Sequence, residues 1–590
     1  MGTVLKLKPV TGLAAALTAL ALTATACTGG NGGDGAVRGW EDCEENPNTC
    51  NSGERGEGGE ITWVINSLPG SWNLISPEGG SVYTNQMLEG ILPSVGRWAP
   101  DGETYEHDMD LLAEEPELIE EDPFTFQFKL RPEAVWNDGT PITADDFEVT
   151  WKMAASPEEG HCDGCRSRAP GEYDDVEKIE GTDDGKTVTV TLKDGKANAE
   201  WFGFLDGHKI SGGLYPAHLA EEQGLDVGDP EELGEYFDWL NETMPEYSGG
   251  PYKIVDGDLE NQVIKEPNEN WYGEIQPTLD KIIMRFNPDE GTWIPALTNG
   301  EIHGANPAQY NDDIIEQVKA MDNVYFDIGP GASWEHIDFN TENEWLEDVE
   351  LRRAIFTAID VGEIAERNFG AGYPDYEIKT NFSFAPESPY HRDVMSGTGQ
   401  GTGDTETAEK ILTDAGYEIE DGTLTKDGEK VGPFRLRSTD TVVRNTSLQI
   451  IQSHLSDIGV ETNIEVTDDL GEMLGKQDYD IVQFGWSGSP FFIATPFQQW
   501  HSSSGSNFGK YENEKVDELV EKVLEAKTLD EAAELTNQAQ EVLVEDAYVL
   551  PIMDEPAYAF VTEGYVNIRD NRQAQKRAIY NMGEWGTVAQ

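Results

Sequence analysis

Gly485-Trp486-Ser487-Gly488-Ser489 comes within one residue of a nucleophile elbow, the sharp turn that lifts a serine hydroxyl above a sheet for acyl transfer. The last position carries Ser where that turn needs Gly. No strand-to-helix context with a following acid and histidine accompanies it, so a secreted hydrolase stands as the alternative reading rather than the leading one. The nine histidines are scattered and no His-Glu-x-x-His occurs, which leaves a zinc hydrolase without a ligand set. His161 beside Cys162-Asp-Gly-Cys165 has the residue types of a zinc or dithiol site. With no second Cys pair and no helix starting after a strand, that reading yields to a disulfide. No enzyme activity, metal or cofactor is expected.

Cys27 offers a different chemistry. Lys6 and Lys8 precede an apolar run, Leu13 to Ala26, that ends in the small residues Ala24, Thr25 and Ala26. The run is shorter than the roughly 20 apolar residues a spanning helix needs. This segment, 1–26, resembles a bacterial lipoprotein signal peptide, which implies a mature chain starting at Cys27 with an acylated sulfur. The protein is then expected on the extracellular face of the cytoplasmic membrane, lipid-anchored. An ordinary secretory signal is the alternative; palmitate labelling separates the two, since an unlabelled protein released into the medium has no anchor. Cys43, Cys50, Cys162 and Cys165 remain, an even number that in an exported chain favours disulfides. Three pairings are open; the two local ones, Cys43 with Cys50 and Cys162 with Cys165, each close a small loop.

The chain has 590 residues, enough for two or three domains, with 113 acidic and 40 basic residues and a formal net charge of -73. Nucleic acid is excluded as a partner. Acids such as Glu120-Glu121-Asp122 and Asp468-Asp469 run along the whole length, as on a solvated surface. Self-repulsion of this kind is screened within about 8 to 10 Å in ordinary salt, so the melting temperature is expected to rise between low and high salt. A melting curve indifferent to salt would remove that idea. A field that draws in cationic ligands is the functional counterpart, and global charge says little about one cleft.

The elements that must position any site follow from periodicity. Residues 27–59 are Gly-rich and polar, read as a tether. Ile61 to Ile65 reads as the first strand, Ser81 to Leu92 as a helix burying Met87, Leu88 and Ile91, and Phe124 to Leu130 as a half-buried strand. Thr143 starts a helix carrying Phe147 and Trp151. Val176 to Ile179 and Thr187 to Leu192 flank Asp184-Gly185, a hairpin. From Asp348 an apolar stripe (Leu351, Ala354, Ile355, Ala358) marks a helix, and later helices start near Thr407, Ser447 and Glu514. Thr528-Leu-Asp-Glu531, a capping box, divides Lys515 to Lys527 from Leu529 to Asp546. Val549 to Ile552 and Ala557 to Val561 read as two closing strands. No second long apolar run exists.

Several of these segments occur in one order. Phe124 to Trp151 reads FTFQFKLRPEAVWNDGTPITADDFEVTW; Gly249-Gly-Pro-Tyr-Lys253, Asn270-Trp-Tyr-Gly273, Leu297-Thr-Asn-Gly-Glu301, Leu351-Arg-Arg-Ala354, Ala415-Gly-Tyr417, Gly485-Trp486 and Leu550-Pro-Ile552 follow. In this series the chain resembles the oligopeptide/dipeptide-binding proteins of ABC importers, family 5 of the extracellular solute-binding proteins. The resemblance implies an α/β, two-lobed periplasmic-binding-protein-like fold (type II, cluster C) with an extra inserted small domain. It places lobe I at 60–82, 180–300 and 548–590, the inserted domain at 83–179 and lobe II at 301–547. It implies a monomer that binds a peptide or other small solute between its lobes and delivers it to a permease and ATPase complex; a ligand-sensing lipoprotein uncoupled from transport is a further alternative. In peptide-binding members an acid shortly after the Gly-Trp pair holds the ligand's amino terminus. Ser489 stands in that place, and Gln483 stands where some members carry a basic residue, so free-amine recognition is not expected from this segment. Gly485, Trp486, Ser487, Gly488 and Ser489 are the expected cleft wall, with Ser67, Leu68, Tyr83, Trp334, Trp500 and Asn507 as further lining.

Overall fold

The computed structural model describes residues 40–169 and 171–589. Cys27 and the leader lie outside the described residues. Two long antiparallel strands, Val324–Phe339 and Val549–Thr562, run side by side through the middle of a ten-stranded sheet. On one flank Ile481–Ser487 pairs antiparallel with Val324–Phe339, followed by Phe434–Thr439 and Thr462–Thr467 in parallel register. On the other flank come Gly304–Ala305, Glu60–Ile65, Lys281–Phe286, Gln262–Pro267 and Tyr252–Gly257. A separate large apolar core forms on each side, which makes two lobes joined by the two long strands.

The join carries local irregularity. Register shifts fall between Pro330 and Trp334 and between Glu335 and His336, opposite Pro556 and Pro551. Proline cannot donate to a ladder, so these positions tolerate it where an unbroken sheet would not. The same prolines explain a departure from the expected elements: Val549 to Ile552 and Ala557 to Val561 form one strand of 14 residues, because the chain must cross from lobe to lobe without turning.

Other elements follow the sequence pattern with shifted ends. Ser81 caps its helix by accepting from the Thr84 amide, and the helix, Val82–Leu88, stops before Gly90, whose φ of +75° turns the chain. Thr143 and Asp146 form a reciprocal capping box on Ala144–Ala154. Thr528 accepts from the Glu531 amide and separates Glu514–Glu525 from Leu529–Glu545. The helix expected near Ser447 begins earlier, at Val442 under a Thr441 cap; Val442 is 85 % exposed, so the buried stripe starts after the helix does.

The inserted region is a four-stranded antiparallel sheet, ordered Glu117–Glu121, Phe124–Lys129, Thr187–Leu192, Val176–Thr182. It keeps its hairpin whole and so extends past residue 179. Cys162 and Cys165 are bonded to each other, and the His161 ring lies 4.7 Å from that of Trp151. Among the described residues no His, Cys, Asp and Glu cluster could hold a metal.

Residues 40–59 differ from the tether reading. Cys43 and Cys50 are bonded, the Trp40 indole donates to the Ile568 carbonyl at 2.7 Å, and Arg569 donates to the Asn48 and Cys50 carbonyls. This segment has no repeating apolar pattern because a disulfide and side-chain to carbonyl bonds hold it, not an amphipathic face.

Candidate functional site

A cavity of about 640 Å³ opens between the lobes beside the two crossing strands, a size suited to a small organic ligand. One wall is Trp98 and the turn at 100–103, residues expected in the inserted domain, although their strand Gly96–Trp98 pairs with Tyr105–His107 and stands outside the inserted four-stranded sheet; the crossing strands contribute 328–332, Met553 and Asp554, and the facing wall is 372–375, 377–391 and 487–490. Trp334 forms the floor. It is 3 % exposed, stacks on Phe382 with centroids 6.0 Å apart, and lies 5.7 Å beneath the Lys379 ammonium. Lys379 in turn pairs with Asp554 at 2.6 Å, so the deepest charges neutralise each other.

The glycine-rich wall is built by strand pairing. Ser487 faces Ser333, Trp486 faces Trp334, and Gly485 faces Glu335. Side chains alternate along a strand, so Gly485 points away from Trp334; a Cβ there would meet the Glu335 carboxylate at 2.7 Å. That carboxylate is held by Arg444 at 2.7 Å and by the Gln483 amide at 3.0 Å. Gln483 therefore serves a buried ion pair and does not face the cavity. Gly488 donates to the Ala332 carbonyl at 2.9 Å, and a Cβ at Gly488 would meet that same oxygen at 2.3 Å. Gly488→Ala is expected to destabilise by about 1–3 kcal/mol through this backbone clash, measured by thermal melting; an unchanged melting curve would show that the wall can shift freely. Ser489 lines the cavity half-buried, its hydroxyl accepting from the Phe491 amide at 3.2 Å.

Of the expected lining, Trp334, Ser487, Gly488 and Ser489 come together in this cavity. Trp486 stands one row back, stacked on Phe508 at 5.8 Å. Trp500 is buried behind the wall with its ring edge-on to Phe382 at 6.1 Å. Asn507 clips its own loop, donating to the Tyr511 and His501 carbonyls and accepting from the Tyr511 amide. Ser67, the exposed Leu68 and Tyr83 lie away from the lining, Tyr83 packed against the apolar core that also holds Trp63 and Met87.

Residues 488–493 also bind the lobes to each other. Phe491 sits in a nest of Trp98, Tyr105 and Phe202, with the Lys209 ammonium 4.5 Å above its ring. Gly203 makes the room, since a Cβ there would meet the Phe491 ring at 2.5 Å. The buried Glu200 carboxylate accepts from the Phe492 and Ile493 amides at 2.6 and 3.1 Å and pairs with Lys209 at 3.3 Å. Burial pushes the Glu200 carboxyl above its ordinary range despite Lys209. Sequence reading missed Glu200, Trp98, Phe382 and the Lys379 to Asp554 pair. Glu200, Trp98, Phe382 and Lys379 lie in irregular or very short segments, and Asp554 lies between the two prolines of a long strand; each meets a partner far along the chain, so no period or motif marks them.

Residues 109–508 match the family model described as bacterial extracellular solute-binding proteins, family 5 Middle. The oligopeptide-binding protein OppA of Mycobacterium tuberculosis is 25% identical over 527 residues, covering 87% of this chain and 82% of that protein. The dipeptide-binding protein DppE of Bacillus subtilis is 23% identical, covering 84% and 87%. Among solved structures, the periplasmic EDTA-binding protein EppA superposes with a TM-score of 0.84 and 30% identity over 92% of this chain and 99% of that one. The architecture is accordingly the type II periplasmic-binding-protein fold, and the relatives are binding proteins, not enzymes. Two lobes on paired crossing strands, a cavity walled from both sides and a family match over more than half the chain place this protein among the family 5 bacterial extracellular solute-binding proteins.

Proposed function

We propose that this protein is the membrane-anchored extracellular receptor of an ABC importer, a monomer that takes a peptide or related small solute between its lobes and delivers it to the permease and ATPase complex. The observation that carries the reading is the interlobe cavity, walled by both lobes and floored at their crossing strands. A ligand touching both walls has contacts in the closed form that the open form lacks, and that difference drives closure. Peptides are favoured because OppA and DppE are named for them. No helix among the described residues is long and apolar enough to cross a membrane, which is compatible with an anchor at Cys27.

A metal chelate is the second reading, favoured by the likeness to EppA. Mass spectrometry of material released by denaturing the purified protein identifies the solute, and X-ray scattering with peptide pools reports closure. A released peptide and compaction on peptide addition are expected. Compaction with no peptide pool, together with a chelate in the released material, would replace the first reading by the second.

A further inference from the structure

Two residues of the cavity lining come from the segment expected to be a tether. Glu44 and Pro47 belong to the loop that the Cys43 to Cys50 disulfide closes, and both line the cavity beside the crossing strands. The same loop bonds the neighbouring wall in both directions: the Asn48 side-chain amide donates to the Asp101 carboxylate at 2.7 Å, and the Asp101 amide donates to the Asn48 side-chain oxygen at 3.0 Å. Asp101 in turn organises the wall turn. Its carboxylate accepts from the Glu103 and Thr104 amides at 3.0 and 2.9 Å and from the Thr104 hydroxyl at 2.8 Å.

This wall needs support from outside. Gly96–Trp98 and Tyr105–His107 form a hairpin of two short strands apart from the larger sheets, and a lone hairpin is marginal in water. One late stretch of chain holds both pieces: Arg569 donates to the Asn48 and Cys50 carbonyls at 3.2 Å each, the Asn567 amide donates to the Asn51 carbonyl at 2.7 Å, and the Asn571 side chain donates to the Trp98 carbonyl at 2.8 Å. Trp40–Asp42 packs against the crossing strand Val324–Phe339. Closing residues 43–50 into a ring leaves the loop few other shapes, so loop, wall and crossing strand are tied together.

We infer that the Cys43 to Cys50 loop is part of the solute site, with Asn48 positioning the wall turn at 100–103 and Glu44 and Pro47 shaping the rim beside it. This rests on the proposal that the cavity receives the solute. A wall held in place before the solute arrives needs no ordering when it binds, so affinity is gained without any new contact. Loop and hairpin both lie outside the residues matched to the family, 109–508, so neither follows from that match.

Asn48→Ala and Glu44→Trp test the two roles apart, each in the full chain, with a mixed tetrapeptide pool and Fe(III)-EDTA as probes titrated calorimetrically. Amide hydrogen exchange over residues 96–107 reports the wall without any ligand. Asn48→Ala is expected to speed exchange in that hairpin and to weaken whichever probe the parent takes by about tenfold, through faster dissociation. Glu44→Trp alters an exposed side chain, so its exchange and melting curve should match the parent while its bulk at the rim lowers affinity by about the same factor. Unchanged affinity in either variant overturns the role given to its residue, and exchange in the hairpin that Asn48→Ala leaves as it was overturns the positioning role; each leaves the receptor reading standing. A parent that takes neither probe overturns the receptor reading and this inference with it.

Discussion

Glu200→Ala is expected to open the cleft and weaken solute binding by about two orders of magnitude. The variant leaves the Phe492 and Ile493 amides without their acceptor and removes one of the two carboxylates that hold the buried Lys209; Glu172 at 2.7 Å remains. Breaking a buried, hydrogen-bonded charge contact typically costs about 3–5 kcal/mol. The cost falls on the closed form, because the contact joins residue 200 of lobe I to residues 492 and 493 of lobe II, while each lobe keeps its own core. X-ray scattering should report an expanded particle; because Glu172 still holds Lys209, the cost falls at the lower end, about 3 kcal/mol, and at about 1.4 kcal/mol per factor of ten calorimetry should report a loss of affinity of about 100-fold. Glu200→Gln retains an acceptor oxygen and should recover much of the affinity. Unchanged scattering and affinity in the alanine variant would show that this contact has no part in closure.

The second large effect concerns the crossing strands. Burial, reinforced by the nearby Glu335 carboxylate and opposed by the Tyr310 amide, Arg444 and Arg577, pushes the Glu555 carboxyl up from 4.5 to about 7. Its folded value lies above its unfolded one, so the native state binds the extra proton. Stability from this group is complete below about 4.5 and is lost as pH rises through about 7. Glu555→Gln cannot ionise. It should match the parent in acid and exceed it by a few kcal/mol above neutrality, since each pKa unit is worth about 1.4 kcal/mol. Denaturant titrations at several pH values check this, and a variant less stable than the parent at alkaline pH would contradict the sign.

Much of the fold was legible along the chain. The alternation of Phe124, Phe126 and Phe128, the Asp184-Gly185 hairpin and the caps at Thr143 and Thr528 depend on neighbours within a few residues, and the structure has them there. The closing strand was less legible, because Pro551 and Pro556 break its apolar run and only the opposing register shifts of Val324–Phe339 make room for them. The wall at Ser487 to Ser489 was visible through its family likeness. Trp500 and Asn507 were expected beside it, yet Trp500 packs edge-on against Phe382 from behind and Asn507 bonds within its own loop.

By itself, the sequence determined what short-range chemistry can specify: the strands and helices, their caps and turns, the surplus of negative charge, and the ordered motifs of a two-lobed receptor. Only the tertiary structure decided which of those charges are spent on each other and which line the cavity between the walls. Lys379 meets Asp554 across 175 residues and Glu200 meets Phe492 across 292. Such pairings follow from how two lobes fold back on one another, a property no local window contains.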